Sequence, residues 1–221
     1  MELFDVMRTT FACRAFTDDD VPDAAIHQMI DNARFAPSGG NRQGNFVIVV
    51  RDPATKTLLG EAARPAGKLY TAQNKAGESP WNTIHPTQVT PETEAATEVP
   101  PHLTEPAKKA PVVLVFCVDL QVVASTDKNL DRIGVISGGS IYPFVWNTLL
   151  AARNLGYGGT ITTLAVAQEP MLQKALNIPP HVAVAAVVPL GKPQKQLSKL
   201  RRRPVEDIAR RETFDGEAFK L

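Results

Sequence analysis

Apolar residues recur at i, i+3, i+4 and i+7 through Ile26, Met29, Ile30 and Ala33, a spacing that predicts one buried face of a helix. Pro22 suits the first turn of that helix, Asp18-Asp19-Asp20 stand in front of it, and the helix should end before Pro37. Phe46-Val47-Ile48-Val49-Val50 is a short continuous apolar run, as are residues 112–118 and 182–188, and each predicts a buried strand. Across residues 131–155, Ile133, Val135, Ile136, Ile141, Phe144, Val145, Trp146, Leu149, Leu150 and Leu155 would cover nearly the whole circumference of a helix. Such a helix belongs in the core or at a subunit interface. Between about residues 64 and 109 the composition shifts to Pro, Thr, Glu and Ala, with Pro80, Pro86, Pro91, Pro100, Pro101 and Pro106. This predicts a lid-like or mobile excursion without a long regular element. Strands alternating with helices point to a mixed α/β sheet covered by helices, and no internal repeat is present.

Composition narrows the functional classes. The chain has 221 residues, 43% of them hydrophobic, enough for one domain carrying a long excursion over residues 1–221. Its 24 Lys and Arg nearly cancel its 23 Asp and Glu, so no overall field draws it to nucleic acid or a membrane surface, and any charge-driven function must be local. Two cysteines, Cys13 and Cys117, exclude a disulfide framework, and Cys117 lies in an apolar run where a thiol behaves as a small hydrophobe. The N-terminus lacks a signal-peptide profile and no apolar stretch reaches the roughly 20 residues needed to span a bilayer, so the expected setting is cytoplasmic and reducing.

Three stretches are polar, Gly-rich or basic beyond what a core requires. Ala36-Pro37-Ser38-Gly39-Gly40-Asn41-Arg42-Gln43 reads either as a helix-to-strand turn or as a ligand loop, with Ser38, Asn41 and Gln43 supplying donors and acceptors. Gly156-Tyr157-Gly158-Gly159-Thr160-Ile161-Thr162-Thr163 reads as a helix C-cap at Gly156 leading into a strand. It is not a GxGxxG loop opening a helix, and no P-loop lysine is present. Lys199-Leu200-Arg201-Arg202-Arg203-Pro204 is either a solvated basic surface or the source of a bidentate contact to a phosphate, and Arg8 and Arg14 face the same choice.

Taken together and in order, the chain from about residue 3 to 207 resembles the nitroreductase family. Four blocks carry the resemblance: Met7-Arg8-Thr9-Thr10-Phe11-Ala12-Cys13-Arg14-Ala15-Phe16-Thr17 followed by Val21-Pro22; residues 36–43; Ser140-Ile141-Tyr142-Pro143-Phe144-Val145-Trp146-Asn147 followed by Leu155-Gly156; and Arg202-Arg203-Pro204-Val205-Glu206-Asp207. The resemblance implies an α+β fold, a central mixed or antiparallel sheet covered by helices in an intertwined homodimer, with FMN in pockets built from both subunits. It implies Arg202 at the phosphate, with Arg201 or Arg203 as neighbours and Arg8, which lies elsewhere in the register, as the substitute for missing N-terminal cations, and Arg14 at the flavin edge that gains negative charge on reduction. It implies Pro37, Ser38, Gly39, Asn41 and Gln43 along the ribityl chain and ring, and Ile161, Thr162, Thr163 and Leu164 at the N5 edge. Within the excursion, Tyr70, Trp81 and His85 are the candidates for covering the flavin face. The chain departs from many relatives in carrying Thr10-Phe11-Ala12 for Arg-Arg-Ser, which removes two expected cations, and Gly44-Asn45 for Pro-Trp.

The activity implied is a two-step transfer. NADPH or NADH reduces the flavin and leaves, then a nitroaromatic, quinone or activated alkene takes the electrons over the same face. No metal, general acid or general base is named. Relatives of this fold also dehalogenate reductively or run other specialised flavin chemistry, and a flavin-binding protein without turnover is the reading from a different class.

Overall fold

In the computed structural model, which describes residues 1–220, the chain runs α1 (Leu3–Thr9), α2 (Asp23–Ala33), β1 (Asn45–Val50), α3 (Pro53–Ala62), α4 (Arg64–Lys75), α5 (Pro91–Ala96) and α6 (Glu105–Lys109). It continues through β2 (Val112–Asp119), α7 (Tyr142–Asn154), β3 (Gly158–Gly159), α8 (Glu169–Leu176), β4 (Val182–Gly191) and α9 (Val205–Ile208). The four strands form one sheet in the order β1-β2-β4-β3, antiparallel at every pairing of named strands, so the fold is α+β. The mixed sheet allowed by strand–helix alternation is thus antiparallel.

Strand β2 explains why a continuous apolar run was the right signal. Val112, Leu114, Phe116 and Val118 face one side and join the core under α2 and α7. Val113, Val115 and Cys117 face the other and join the core with Leu59, Ala62, Ala107 and Leu172 of α3, α6 and α8. Alternate residues meet opposite faces, and both faces are covered, so no position needs to be polar. Burial pushes the Cys117 thiol up to about 11, which makes it a packing group.

The expected helix over residues 131–155 is corrected at its start. Helical structure proper begins at Tyr142, after a 3-10 turn at Ile136–Ser140, and Ile133, Val135 and Ile136 are exposed. Gly138-Gly139 weakens helix there, and Pro143 favours a helix start because its missing N–H is an orphan in the first turn. The helix is also not buried all round: Tyr142 is 41% and Trp146 39% exposed. Its end follows the expectation at Gly156, which takes φ +86° while its N–H donates to Arg153 O and the Tyr157 N–H to Ala152 O. This pair of bonds closes the helix in a Schellman motif.

The excursion is corrected too. Twelve of its residues form the regular helix α4, and Pro65, Pro91, Pro101 and Pro106 sit in first turns, where proline begins helices instead of breaking them. Its two ends are tied to α3 by Glu61, whose carboxylate meets Arg64 Nε of α4 at 2.7 Å and Lys108 Nζ of α6 at 2.6 Å. Arg64 first and then Lys108 hold the Glu61 carboxyl down to about 2 from its ordinary 4.5. The depressed value means its stabilisation is present above 4.5 and is lost as pH falls toward 2. Glu61→Gln is therefore expected to lower stability at neutral pH, with the gap to wild type closing across that acid range in urea unfolding.

Candidate functional site

The two ends of the chain meet beside β3. Ala12 bridges Gly159 in parallel and the Cys13 N–H donates to Gly159 O at 3.0 Å. Beyond β4 the chain runs back along this segment: Thr17 N–H donates to Lys192 O, Gln194 N–H to Ala15 O, and Gln196 Nε2 to Thr9 O at 3.0 Å. These bonds carry residues 198–202 to α1 and create a cleft of about 410 Å³ lined by Met7, Arg8, Ser198, Lys199, Leu200 and Arg202. Two cations singled out from sequence, Arg8 and Arg202, are brought together, and a third, Lys199, joins them. In a chain of near-zero net charge, this is a local concentration of positive charge suited to an anion.

The departure at Thr10-Phe11-Ala12 has a structural counterpart. Thr10 is buried and its hydroxyl donates to Val6 O at 2.7 Å, while Phe11 packs against the core. Neither side chain is turned toward the cleft, whose cations come instead from α1 and the C-terminal run. Arg14 is exposed two residues after the Ala12–Gly159 bridge, with Nη1 3.4 Å from Ala12 O.

Past β3, Thr162 forms a reciprocal pair with β4: its N–H donates to Val187 O at 3.1 Å, and its carbonyl accepts from the Val187 N–H at 2.9 Å. The Thr162 N–H is therefore committed to the sheet. The donors left in this segment include the Thr162 and Thr163 hydroxyls and the Thr163 and Leu164 N–H groups, the last two at the start of the 3-10 turn Leu164–Gln168.

A second cleft, about 260 Å³, is lined by Pro37, Ser38, Gly39, Ala124, Ile136, Gly139 and Ser140. Its loop is tightly built: the Gln43 N–H donates to Ser38 Oγ at 3.0 Å and the Gly39 N–H to Ser140 Oγ at 3.2 Å. Gly40, Asn41 and Gln43 all take positive φ, a conformation that glycine and asparagine adopt readily and glutamine only where surrounding bonds impose it. A Cβ at Gly39 would stand 3.1 Å from the Ala124 side chain, so glycine keeps this passage open. Asn41 and Gln43 lie exposed outside the cleft. Ser140 was not singled out as a site residue, and its partner lies 101 residues away in sequence, where no local pattern could point to it.

The three excursion candidates are not in either cleft. Helix α4, which carries Tyr70, packs on the Leu164–Gln168 turn, next to the Thr162–Leu164 segment. Trp81, 49% exposed with φ +56°, is held by its N–H donating to Gln73 Oε1 at 3.1 Å. The His85 N–H donates to Asn82 Oδ1 at 2.7 Å, and Glu78 closes the loop by accepting from Thr87 Oγ1 and the Gln88 N–H, each at 2.7 Å. The excursion is thus an ordered loop at this point. Among the described residues, no group of His, Cys, Asp and Glu could hold a metal ion, and no helix is long and apolar enough to cross a membrane.

A helix-covered antiparallel sheet with a three-cation cleft where its termini meet defines an α+β protein equipped to hold an anionic ligand. The profile described as "Nitroreductase family" matches residues 7–192, and the chain belongs to that family. It is 24% identical over 209 residues to "Iodotyrosine dehalogenase 1 homolog" of Caenorhabditis elegans, covering 94% of this chain but only 60% of that protein's length. It is 25% identical over 212 residues to "FMN reductase [NAD(P)H]" of Bacillus subtilis (strain 168), covering 91% of this chain and 70% of that one. Among solved structures, oxidized iodotyrosine deiodinase bound to FMN and 3-iodo-L-tyrosine shares the fold with a TM-score of 0.69, 20% identity, and coverage of 96% of this chain and 100% of that one.

Proposed function

We propose that this chain is an FMN-dependent oxidoreductase that takes hydride from NADPH or NADH and delivers the electrons to a small electron-poor acceptor such as a nitroaromatic, quinone or activated alkene. The observation that carries the reading is the convergence of Arg8, Lys199 and Arg202 on one cleft, beside the bridge that fixes Arg14 and the Thr162–Leu164 donors. Family membership and the FMN reductase relative support the same cofactor.

The residues fit an FMN. A phosphate monoester carries up to two negative charges, and charge-assisted contacts from Arg8, Lys199 and Arg202 would hold it. Arg14 would supply a fixed cation at the ring edge that becomes more negative on reduction, and Thr162, Thr163 and Leu164 would donate to the redox edge. The backbone of Pro37, Ser38 and Gly39 would line the ribityl chain and ring, with Asn41 and Gln43 at the rim, and Ile161 behind them. Tyr70, Trp81 and His85 would border the open face, excluding water while donor and acceptor take turns. The chemistry that bound FMN supplies is two-electron exchange between nicotinamide and acceptor. The protein binds, orients and shields, and no side chain is assigned a proton.

The working unit we propose is a homodimer. The basic cleft and the Ser38–Gly39 cleft have no lining residue in common, and in the proposed dimer one flavin would draw on both, one from each copy. Leu3, Phe4 and Met7 on α1 and Tyr142 and Trp146 on α7 are exposed apolar groups available to cover one another. The hydrogen bonds of residues 203–220 run within that arm, and its Phe214 is fully exposed.

A second reading, reductive dehalogenation of a halogenated phenol, is favoured by the deiodinase relatives. Steady-state kinetics with NADPH separates the two. Turnover of a nitroaromatic or quinone with parallel double-reciprocal lines is the expected result, whereas turnover of 3-iodotyrosine alone favours the second reading.

A further inference from the structure

We infer that Asp127 is a positioning residue for the flavin, acting through the wall of the Ser38–Gly39 cleft; the inference rests on the flavin reading above. Asp127 is only 4% exposed, and its carboxylate organises the whole stretch between β2 and α7. Oδ2 accepts from Arg132 Nη1 at 2.8 Å, from the Val135 N–H at 2.7 Å and from the Ile136 N–H at 3.3 Å, while Ser125 Oγ approaches Oδ1 at 3.5 Å. Gly134 passes so near that a Cβ there would stand 3.4 Å from Oδ1. A buried carboxylate must collect donors to remain charged, and here the donors it collects are the backbone of the next turn.

That turn is the far wall of the cleft. Ala124 lies three residues before Asp127 and meets Gly39 from one side. Ile136 takes its backbone position from Asp127 and opens the Ile136–Ser140 turn, whose Ser140 Oγ accepts the Gly39 N–H at 3.2 Å. Four of the seven cleft residues, Ala124, Ile136, Gly139 and Ser140, therefore lie on the two strands of chain that leave the Asp127 hub. Asp127 itself does not line the cleft, and none of the seven lining residues is charged. Its effect on a ligand is one of position. The same hub holds Ile133 and Val135 out at the surface, against the tendency of apolar side chains to collapse inward.

The test uses the full-length protein, with FMN affinity read from quenching of flavin fluorescence and amide exchange read at Val135 and Ile136. Asp127→Ala is expected to weaken FMN binding about tenfold, with faster exchange at both amides and an unchanged far-UV spectrum, because the two N–H groups that fix the turn lose their acceptor. Asp127→Asn keeps a carbonyl oxygen for those N–H groups and recovers most of the affinity. Arg132→Ala leaves them paired and stays within about twofold of wild type. Wild-type affinity in Asp127→Ala overturns the inference. If the alanine variant does not fold, an Asp127→Asn protein with faster exchange at both amides but wild-type affinity overturns it equally. A wild-type chain that binds no FMN sinks the flavin reading and this inference with it, so the two failures are distinguishable.

Discussion

Arg202→Ala is expected to weaken FMN binding by about 10- to 100-fold, the loss of roughly 1.5–3 kcal/mol that a charge-assisted contact to a phosphate contributes. Arg202 shares its cleft with Arg8 and Lys199, and among the described residues its side chain hydrogen-bonds only the adjacent Arg201 O, so the substitution would remove the proposed phosphate contact with little effect on the fold. Arg8→Ala should act in the same direction, and the double variant should show a weaker salt dependence along with lower affinity, since only Lys199 of the three cations would remain. Arg202→Lys is not expected to restore wild-type affinity, because a guanidinium can engage two phosphate oxygens at once and an ammonium cannot. Titration of FMN fluorescence at low and high salt reads all of these. Unchanged affinity in the double variant would mean that the phosphate sits elsewhere.

Phe116→Ala is expected to cost about 3–5 kcal/mol of stability, because it empties the largest fully buried side chain of the sheet and leaves a void that the surroundings fill only in part. Phe116 meets Phe144 of α7 edge-on at 5.7 Å and 78°, so the substitution also loosens the contact that seats α7 on β2. For a chain of this length the expected fall in Tm is roughly 6–20 °C. Phe46→Ala on the edge strand is the control: Phe46 is exposed, and its removal should move stability by no more than about 0.5 kcal/mol. A Phe116→Ala protein that melts with the wild type would contradict the two-faced sheet.

How much of this was legible in the sequence depends on whether the determining contact is local. The three long strands were legible because Val112 to Val118 is apolar at both parities, which only a sheet covered on both faces requires. Helix α2 was legible from its spacing. Two expectations failed for one shared reason, that a residue's local tendency was read without its position in the element. Prolines of the excursion counted as breakers begin helices at Pro91 and Pro106, and Ile133, Val135 and Ile136, counted into a helix, belong to a turn in which the Val135 and Ile136 N–H groups are taken by Asp127. In the site, Arg8, Arg14 and Arg202 came from the resemblance, and the basic run contained Lys199 without marking it. Ser140 and Asp127 were invisible, since each acts through a partner or a wall that exists only once the chain has closed on itself.

The visible absorption spectrum of the protein reconstituted with FMN, recorded before and after anaerobic addition of NADPH, decides whether the chain is a flavin oxidoreductase. The expected result is a bound flavin band that bleaches on addition and returns when a quinone or nitroaromatic is admitted. A protein that takes up no FMN, or whose bound flavin stays oxidised with both NADPH and NADH, would contradict it.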